Sequence, residues 1–339
     1  CILQLTKGSY DYEVIHPDHY DAKGTVNVGT SAMSVNVKMN INPIAMKPEE
    51  NGNIQMMLTG PSCSISVNSP TADYEIDWGD GMTENPSGTG SKSYPHTYGD
   101  NGLYQVEIRN CGDVTSCMAS TSCLVAYWSI GGSKVSSISF SGCSKLIYFG
   151  KDMFKNDMNR TSVSYILSNC TSLTSVDLTP LSGLVNVTDA YRMLYDCGNL
   201  TSVDLTPLSG WVNVTNTANF LSNCTSLTSV DLTPLSGWVN VTDAYGMLYD
   251  CGNLTSVDLT PLSYWTKMTR NTILILGDSA LSFITVLSTT PFPLSSGALT
   301  NGNSCPIYVP DEAVETYKTA TNWSAYASRI KPISEKTES

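Results

Sequence analysis

The ten-residue stretch Leu173-Thr-Ser-Val-Asp-Leu-Thr-Pro-Leu-Ser182 is the strongest indication of the fold, because it returns three more times at a constant step. The copies begin at Leu200, Leu227 and Leu254, each 27 residues after the one before. Residues 171–210 match 225–264 at 37 of 40 positions, which indicates that the array grew by duplication of a 54-residue pair of units. A unit of this length cannot bury its own apolar face, so the repetition predicts units stacked side by side on a shared core.

The order of residues within one unit predicts a strand, a turn and a short helix. Leu173, Val176 and Leu178 form an L-x-x-V-x-L pattern that predicts a half-buried strand, with polar residues at 175, 177 and 179 on the other face. A proline and a glycine then end the strand, and we expect Val185 and Val187 to return to the core. Apolar residues at helical spacing predict a helix over 190–197, with Gly198 as its C-terminal cap.

The motif Cys197-Gly-Asn-Leu200-Thr-Ser-Val203-Asp-Leu205 resembles the leucine-rich repeat of the BspA-like family of bacterial surface proteins. The resemblance covers about 130–285, with a diverged first copy from Cys143 and an eroded last copy at 277–284. It departs from the commoner leucine-rich consensus at Leu181, where Asn or Cys is usual. The resemblance implies a leucine-rich repeat solenoid of 27-residue units, so that the chain is mainly β with short helices.

The C-terminal segment from Cys305 resembles the usual ending of the same family, with the sequence Ile307-Tyr-Val-Pro310 followed by a W-x-x-Y-x-x-x-I tail. It predicts a strand, a helix start at Pro310-Asp311, and a helix that buries aromatic side chains. The buried residues of that helix are expected to be Trp323, Tyr326 and Ile330. Such a cap would cover the last, otherwise open strand of the solenoid.

The region before the array has strand patterns of a different kind. The sequence Asp77-Trp-Gly-Asp-Gly81, followed by His96-Thr-Tyr98 and a G-x-Y-x-V-x-I strand, resembles the polycystic-kidney-disease-type repeat, an immunoglobulin-like β-sandwich. The match spans roughly 54–112 and implies a core position for Trp78, a hairpin turn at Asp80-Gly81 and a structural hydrogen-bonding role for His96. Strict alternation at 33–41 predicts a further strand.

Four segments follow from these patterns. The expected domains are a β segment or arm at 1–50, the β-sandwich at 51–123, the solenoid at 124–304 and the cap at 305–339.

Five of the eleven cysteines occupy one repeated position and form a cysteine ladder: Cys143, Cys170, Cys197, Cys224 and Cys251. Free cysteine packs well as a small buried hydrophobe, and we favour that role. Neighbouring units lie about 5 Å apart, so disulfide or metal chemistry is the alternative. The other six cysteines, at positions 1, 63, 111, 117, 123 and 305, are not periodic, and a disulfide that caps the first unit stays open.

Two further columns are candidates for a ligand-binding face. The first is an aspartate ladder, and the second is a tryptophan column just past the turn. Their members are Asp177, Asp204, Asp231, Asp258, Trp211, Trp238 and Trp265. Carboxylates about 5 Å apart in water repel by roughly 0.8 kcal/mol, which a weak Ca²⁺ site would relieve; a solvated face is the alternative. Exposed tryptophans would stack on sugar rings or anchor a protein, whereas Leu184 in the same column favours packing.

Composition and motifs exclude several classes of function. With 18 Lys+Arg against 30 Asp+Glu, a net charge of −12 argues against nucleic acid. No run approaches 18 apolar residues, so no membrane span is predicted. Three histidines, among them His16 and His19 without a third metal ligand, provide no triad, and no phosphate-binding glycine loop is present. We therefore expect no enzyme and no cofactor. Eight of the nine N-x-S/T sequons lie between 159 and 255, recur with the repeat and are interpreted as its by-products.

Together these features predict a non-enzymatic binding or adhesion protein, extracellular or on a bacterial cell surface. Its partner would be a protein or glycan on a host or neighbouring cell. Cys1 suggests a lipid-modified N-terminus, with a simple sequence boundary as the equal alternative. The alternative function is a structural phage virion protein, a tail fibre or a capsid decoration or receptor-binding component, in which residues 1–50 dock onto other virion proteins.

Overall fold

A computed structural model describes residues 8–14, 22–28, 52–86, 88–269, 281–299 and 305–336. The chain divides into two compact units, Cys1–Glu50 and Asn51–Ser339. In the first unit, strand β1 (Gly8–Val14) pairs antiparallel with β2 (Ala22–Val28). The predicted strand at 33–41, both N-terminal histidines and Cys1 lie outside the described residues.

The second unit begins with two sheets that enclose a common core. Their strands are β3 (Ile54–Thr59), β4 (Ser62–Ser69), β5 (Glu75–Asp77), β6 (Thr83–Glu84), β7 (Gly90–Thr97), β8 (Leu103–Arg109), β9 (Ser116–Ala119) and β10 (Leu124–Ser129). One sheet has the order β10-β3-β8-β5-β6, antiparallel throughout, and the other has the order β7-β4-β9. The hydroxyl of Tyr127 in β10 donates to the carbonyl of Cys117 in β9 across the core, at 3.0 Å.

Strand β10 also connects this region to the repeats. It pairs in parallel with β11 (Tyr148–Phe149), which lies in the diverged first copy. The sequence assigned residues 124–129 to the repeat array, but they form a strand of the first sheet, between β3 and β11. Strand β10 therefore bonds to β3 of the first sheet on one side and to β11 of the first repeat copy on the other.

The Trp78 region has the arrangement that its sequence predicts. Trp78 is buried, and the ring of His96 stacks on it with 4.4 Å between ring centroids. His96 Nε2 lies 2.8 Å from the Asp80 carboxylate. The turn between β5 and β6 is closed by the Trp78 amide, which donates to the carbonyl of Met82 at 3.0 Å. His96 is thus a structural residue.

The repeated units lie side by side with parallel pairing. Isolated bridges join Ser162 to Asp189, Asp189 to Asn216, and Asn216 to Asp243, each 27 residues further along. Backbone hydrogen bonds also join residues 27 positions apart in neighbouring units; for example, the Thr215 amide donates to the Thr188 carbonyl at 2.8 Å. The leucines of the motif point inward and are buried. The described residues are therefore mainly β with a few short helices.

Two local expectations within the unit are wrong. The repeated motif forms a regular strand only at β12 (Ser256–Asp258), and in earlier units it runs directly into short 3-10 turns. These turns are Thr179–Leu181, Thr206–Leu208, Thr233–Gly237 and Thr260–Tyr264. Val187 is buried, but Val185 is 52 % exposed. The Val187 amide donates to the Leu184 carbonyl at 3.2 Å, and this three-residue turn places 184 and 187, not 185, on the core side.

The predicted helix over 190–197 is also absent. Arg192 and Asp196 have positive φ angles of 52° and 59°, which a right-handed helix cannot contain. Their amides, with those of Ala190 and Leu194, donate to carbonyls of the next unit at 2.9–3.0 Å. The amides of Met193 and Tyr195 instead donate three residues back. Alternate amides thus bond locally and to the neighbouring unit, which satisfies the backbone without a helix.

The C-terminal part closes the array with a parallel sheet in the order β12, β13 (Phe283–Thr285), β14 (Ile307–Val309) and β15 (Ile330–Pro332). The single α-helix of the described residues, α1, is Val314–Thr319. Trp323, Tyr326 and Ile330 are buried as expected. The helix ends earlier than predicted, however, and Ile330 lies on a strand. Within the described part of the chain, no helix has the length and apolar character needed to cross a membrane.

Candidate functional site

The tryptophan column lies in the core. Trp211, Trp238 and Trp265 have no exposed surface. Their rings stack at centroid distances of 6.0 and 6.3 Å, with interplanar angles of 14° and 10°. Each indole N–H donates to a leucine carbonyl 30 residues earlier, at 3.0–3.2 Å. No ligand can reach these rings, so the prediction that they form a binding face is wrong.

The aspartate ladder is exposed, but its carboxylates already have partners. Asp177, Asp204, Asp231 and Asp258 each accept the backbone N–H of the threonine two residues later, at 2.8–2.9 Å. Hydrogen bonds from the Thr206 side chain and backbone hold the pKa of Asp204 below its usual range. Each aspartate of the ladder therefore forms an Asx turn that leads into the following 3-10 turn. No group of three or more acidic, histidine or cysteine residues that could hold a metal occurs among the described residues, and weak Ca²⁺ binding stays a prediction.

The cysteine ladder is buried and chemically quiet. Each thiol from Cys170 to Cys251 donates to a backbone carbonyl 30 residues earlier, at 3.2–3.3 Å. Burial raises the pKa of Cys197 and of Cys251 to about 12 and that of Cys143 to about 11. These thiols stay protonated near neutral pH, whereas metal binding and thiol exchange need the thiolate.

A shallow groove of about 730 Å³ follows the N-x-T sequons of four units and ends at Lys267. Its threonine hydroxyls donate to the threonine carbonyl one unit back, for example Thr215 to Thr188 at 3.0 Å. Its asparagine amides make a second ladder, since Asn240 donates to the Val212 carbonyl at 2.9 Å. These sequon side chains hold neighbouring units together, which gives the repeated sequons a structural role.

Sequence reasoning missed an exposed aromatic cluster beside these ladders. We call it the tyrosine patch, and its members are Tyr165, Tyr191, Arg192, Tyr195, Tyr245 and Tyr249. Tyr165, Tyr245 and Tyr249 are 37 %, 45 % and 46 % exposed, which is unusual for large aromatic rings in a chain with so regular a core. Tyr191, Arg192 and Tyr195 are half-buried. Large exposed apolar surfaces of this kind mark interaction sites more often than accident.

Arg192 organises the first half of the patch. Its guanidinium carbon lies 4.6, 5.2 and 5.8 Å from the ring centroids of Tyr195, Tyr191 and Tyr165. Tyr165 also meets Tyr191 edge to face, with centroids 5.2 Å apart. Burial, followed by a hydrogen bond with Tyr165, raises the pKa of Tyr191. The cation is thus held by aromatic faces, a favourable arrangement for Arg.

The two halves of the patch are joined through the unit between them. The Asn223 amide donates to the Tyr249 carbonyl at 2.8 Å, and its side chain donates to the Tyr195 hydroxyl at 3.3 Å. In this middle unit the tyrosine columns hold the small, buried residues Ala218 and Ser222. The two tyrosine pairs are therefore two units apart, about 10 Å at the usual strand separation.

The backbone holds the patch rigidly. Tyr165, Arg192, Asn219 and Gly246 share one repeated position, and all have positive φ angles, between 52° and 63°. Tyrosine and arginine rarely adopt this conformation, while glycine does so freely. The duplicated unit carries Gly246 where this one carries Arg192, so the single cation between 161 and 266 sits where glycine is the less strained choice. Strain of this kind concentrates at functional sites.

A signal for the patch was present in the sequence. Tyrosines recur four residues apart at 191 and 195, and again at 245 and 249, on the side opposite the buried residues of the same segment. The spacing alone does not predict their exposure, because the backbone of this segment is not the helix that the sequence predicts over 190–197.

A scan against protein-family models finds no match for this chain, and no similar sequence is found among curated proteins.

Proposed function

We propose that the protein is a non-enzymatic extracellular binding or adhesion protein that engages its partner through the tyrosine patch. We also propose that the stacked units form a leucine-rich repeat solenoid of the BspA-like type, preceded by a polycystic-kidney-disease-type β-sandwich. Support for the solenoid comes from the parallel bridges at 27-residue steps and from the buried leucine and cysteine columns.

The observation that carries the function is the exposure of Tyr245 and Tyr249, two units along from a cation held by tyrosine rings. Tyrosine and arginine are enriched among the residues that contribute most to binding energy. A tyrosine side chain has only two rotatable angles, so ordering it on binding costs little entropy. Here the backbone beneath is already fixed by hydrogen bonds between units, which lowers that cost further.

The partner is best described as a protein or glycan on another cell. Tyrosine faces stack on sugar rings, and their hydroxyls donate and accept hydrogen bonds to either class. A nucleic acid is disfavoured, because the chain carries a net charge of −12 and the patch lies in an acidic stretch. A catalytic role has no support in the described residues, where His96 is committed to Trp78 and Asp80.

The test is a binding measurement with the full chain on a panel of purified cell-surface polysaccharides and extracellular matrix proteins. Two variants address the patch. The double variant Tyr245→Ala/Tyr249→Ala removes two of its three exposed rings, and Arg192→Gly removes its cation and introduces the residue of the duplicated unit. Tyr264→Ala is the matched control, because Tyr264 is 57 % exposed and lies outside the patch.

We expect the Kd for a bound panel member to rise at least about tenfold in both patch variants, equivalent to about 1.4 kcal/mol, and to stay within about twofold in the control. Thermal unfolding of each variant verifies that the fold is kept. Equal affinity of the wild type and both patch variants would place the binding surface elsewhere.

A further inference from the structure

Two cysteines outside the ladder lie next to each other. Cys63 belongs to β4, and Cys123 directly precedes β10. The chain segments that carry them are hydrogen-bonded neighbours on both sides of the pair. The Thr59 amide donates to the Cys123 carbonyl at 2.9 Å, and the Ser120 amide donates to the Ser64 carbonyl at 2.8 Å. Neighbouring strands bring Cα atoms to about 4.5–5.5 Å, within the range that a disulfide spans.

The side chains meet over Gly60. A Cβ atom placed on this glycine would lie 3.8 Å from the Cys123 sulfur and 4.0 Å from the Cys63 sulfur. The same point is 3.9 Å from the Lys145 ammonium nitrogen. Each thiol donates to a backbone carbonyl, Cys63 to that of Thr59 at 3.7 Å and Cys123 to that of Ser62 at 3.3 Å. Because residue 60 is a glycine, no side chain lies between the two sulfurs, and the Lys145 ammonium group lies close to both.

Both cysteines are buried, but only thinly covered. Pro61 and Ser62, the first residue of β4, are exposed on one side, and the turn residues Thr121 and Ser122 are exposed on the other. A small oxidant therefore needs only a local opening of these segments to reach the pair. The ladder cysteines lie instead between stacked units, where each thiol donates to a carbonyl.

We propose that Cys63 and Cys123 form a disulfide bond when the chain is exposed to a low-molecular-weight disulfide oxidant such as oxidised glutathione. This inference does not depend on the proposed binding function. It concerns a covalent link within the region that precedes the repeats.

The pKa values of the two thiols differ, as disulfide exchange requires: that of Cys123 is lowered and that of Cys63 is raised. Burial opposes ionisation of Cys123, but hydrogen bonds from Cys63 and Ser120 and the charge of Lys145 together lower its pKa. Burial, followed by the hydrogen bond to Cys123, raises the pKa of Cys63 to about 12. Cys123 is therefore the thiol that reacts first, since the thiolate is the nucleophile.

The exchange has two steps. The Cys123 thiolate attacks one sulfur of oxidised glutathione, the glutathione S–S bond breaks, and one glutathione leaves as a thiolate. Cys63 then loses its proton and attacks the Cys123 sulfur of the mixed disulfide, which expels the second glutathione. Two protein thiols are oxidised, one glutathione disulfide is reduced to two thiols, and the two protons end on the released glutathiones.

The bond would join the start of β4 to the start of β10 and would enclose the strands between them. Closure of a loop of this length restricts the unfolded chain, so the oxidised protein should unfold at a higher temperature. The other non-ladder cysteines of this region are less suited. Cys117 is fully buried with its pKa raised to about 12, and burial also raises the pKa of Cys111, whereas that of Cys123 is lowered.

The test uses the full chain, incubated with oxidised or with reduced glutathione and then alkylated without reduction. Tryptic digestion separates Cys63 from a peptide, residues 110–134, that contains Cys111, Cys117 and Cys123. Fragmentation of the linked species assigns the bond. We expect two of the eleven thiols to be lost and the link to connect Cys63 with Cys123. We also expect the unfolding temperature to rise by about 5–15 °C relative to the reduced protein.

Cys63→Ala and Cys123→Ala should each abolish both the link and the temperature rise. The mass measurement on the wild type decides the question even if a variant folds poorly. Alkylation of both cysteines after oxidation, or a link from Cys63 to Cys111 or Cys117, would overturn the proposal.

Discussion

At the scale of single residues, the tryptophan column shows what a large polar ring needs in order to lie inside the stack of units. Trp238 replaces the Leu184 of the earlier copy, and both side chains are fully buried. A leucine has no polar group to satisfy, whereas the indole N–H needs an acceptor, which the Leu208 carbonyl supplies at 3.1 Å. The leucine in the column already favoured packing, but spacing alone could not show that a carbonyl was available inside.

Trp238→Ala should lower the free energy of unfolding by about 3–5 kcal/mol, because it leaves a cavity between two stacked rings and an unpaired carbonyl. Trp238→Leu is the matched variant, since leucine fills this place in the earlier unit, and it should lower the stability less. Urea unfolding followed by circular dichroism measures both. A loss below about 1 kcal/mol for the alanine variant would contradict the buried position.

At the scale of elements, the segment after the N-x-T sequon shows why a helix was predicted and not formed. Apolar residues at 190, 193, 194 and 197 do point inward, as a helix would place them. Left-handed residues at 192 and 196 turn the chain twice within the segment and produce the same inward spacing. The interior residues were therefore predictable from the sequence. The backbone was not, because the pattern does not report which amides bond to the next unit.

The left-handed positions make a specific prediction at Asp250, whose φ is 58°. Asp250→Val should destabilise the protein by about 1–2 kcal/mol, since a β-branched residue is strained in this conformation. Asp250→Gly serves as the control and should be tolerated, because glycine adopts positive φ freely. Thermal unfolding of the pair distinguishes the two changes. Equal stability of both variants would argue against the left-handed turn.

At the scale of the whole Asn51–Ser339 unit, the 27-residue repeat explains which side chains of the stacked array are buried and which are exposed. A side chain at one place in the 27-residue unit lies beside its copies in the neighbouring units, as the bridges through Asp189 and Asn216 show. Copies of an inward residue therefore become a buried column, and copies of an outward residue become a ladder on the surface. The tyrosine patch contains one of the three positions at which the duplicated copies differ, Arg192 and Gly246.

Removal of one 54-residue pair of units is the sharpest test of the claim that 27-residue units stack in register. Deletion of residues 198–251 joins Cys197 to Gly252 and restores the native Cys-Gly junction in register. Deletion of residues 198–238, which is out of register, is the control. Because stability in a stacked array is close to a sum over neighbouring units, we expect the first variant to unfold in one cooperative transition, no more than about 10 °C below the wild type. We expect the out-of-register variant to fail to fold. Failure of the in-register variant to fold, or the same unfolding temperature for the two variants, would contradict the stacking of 27-residue units.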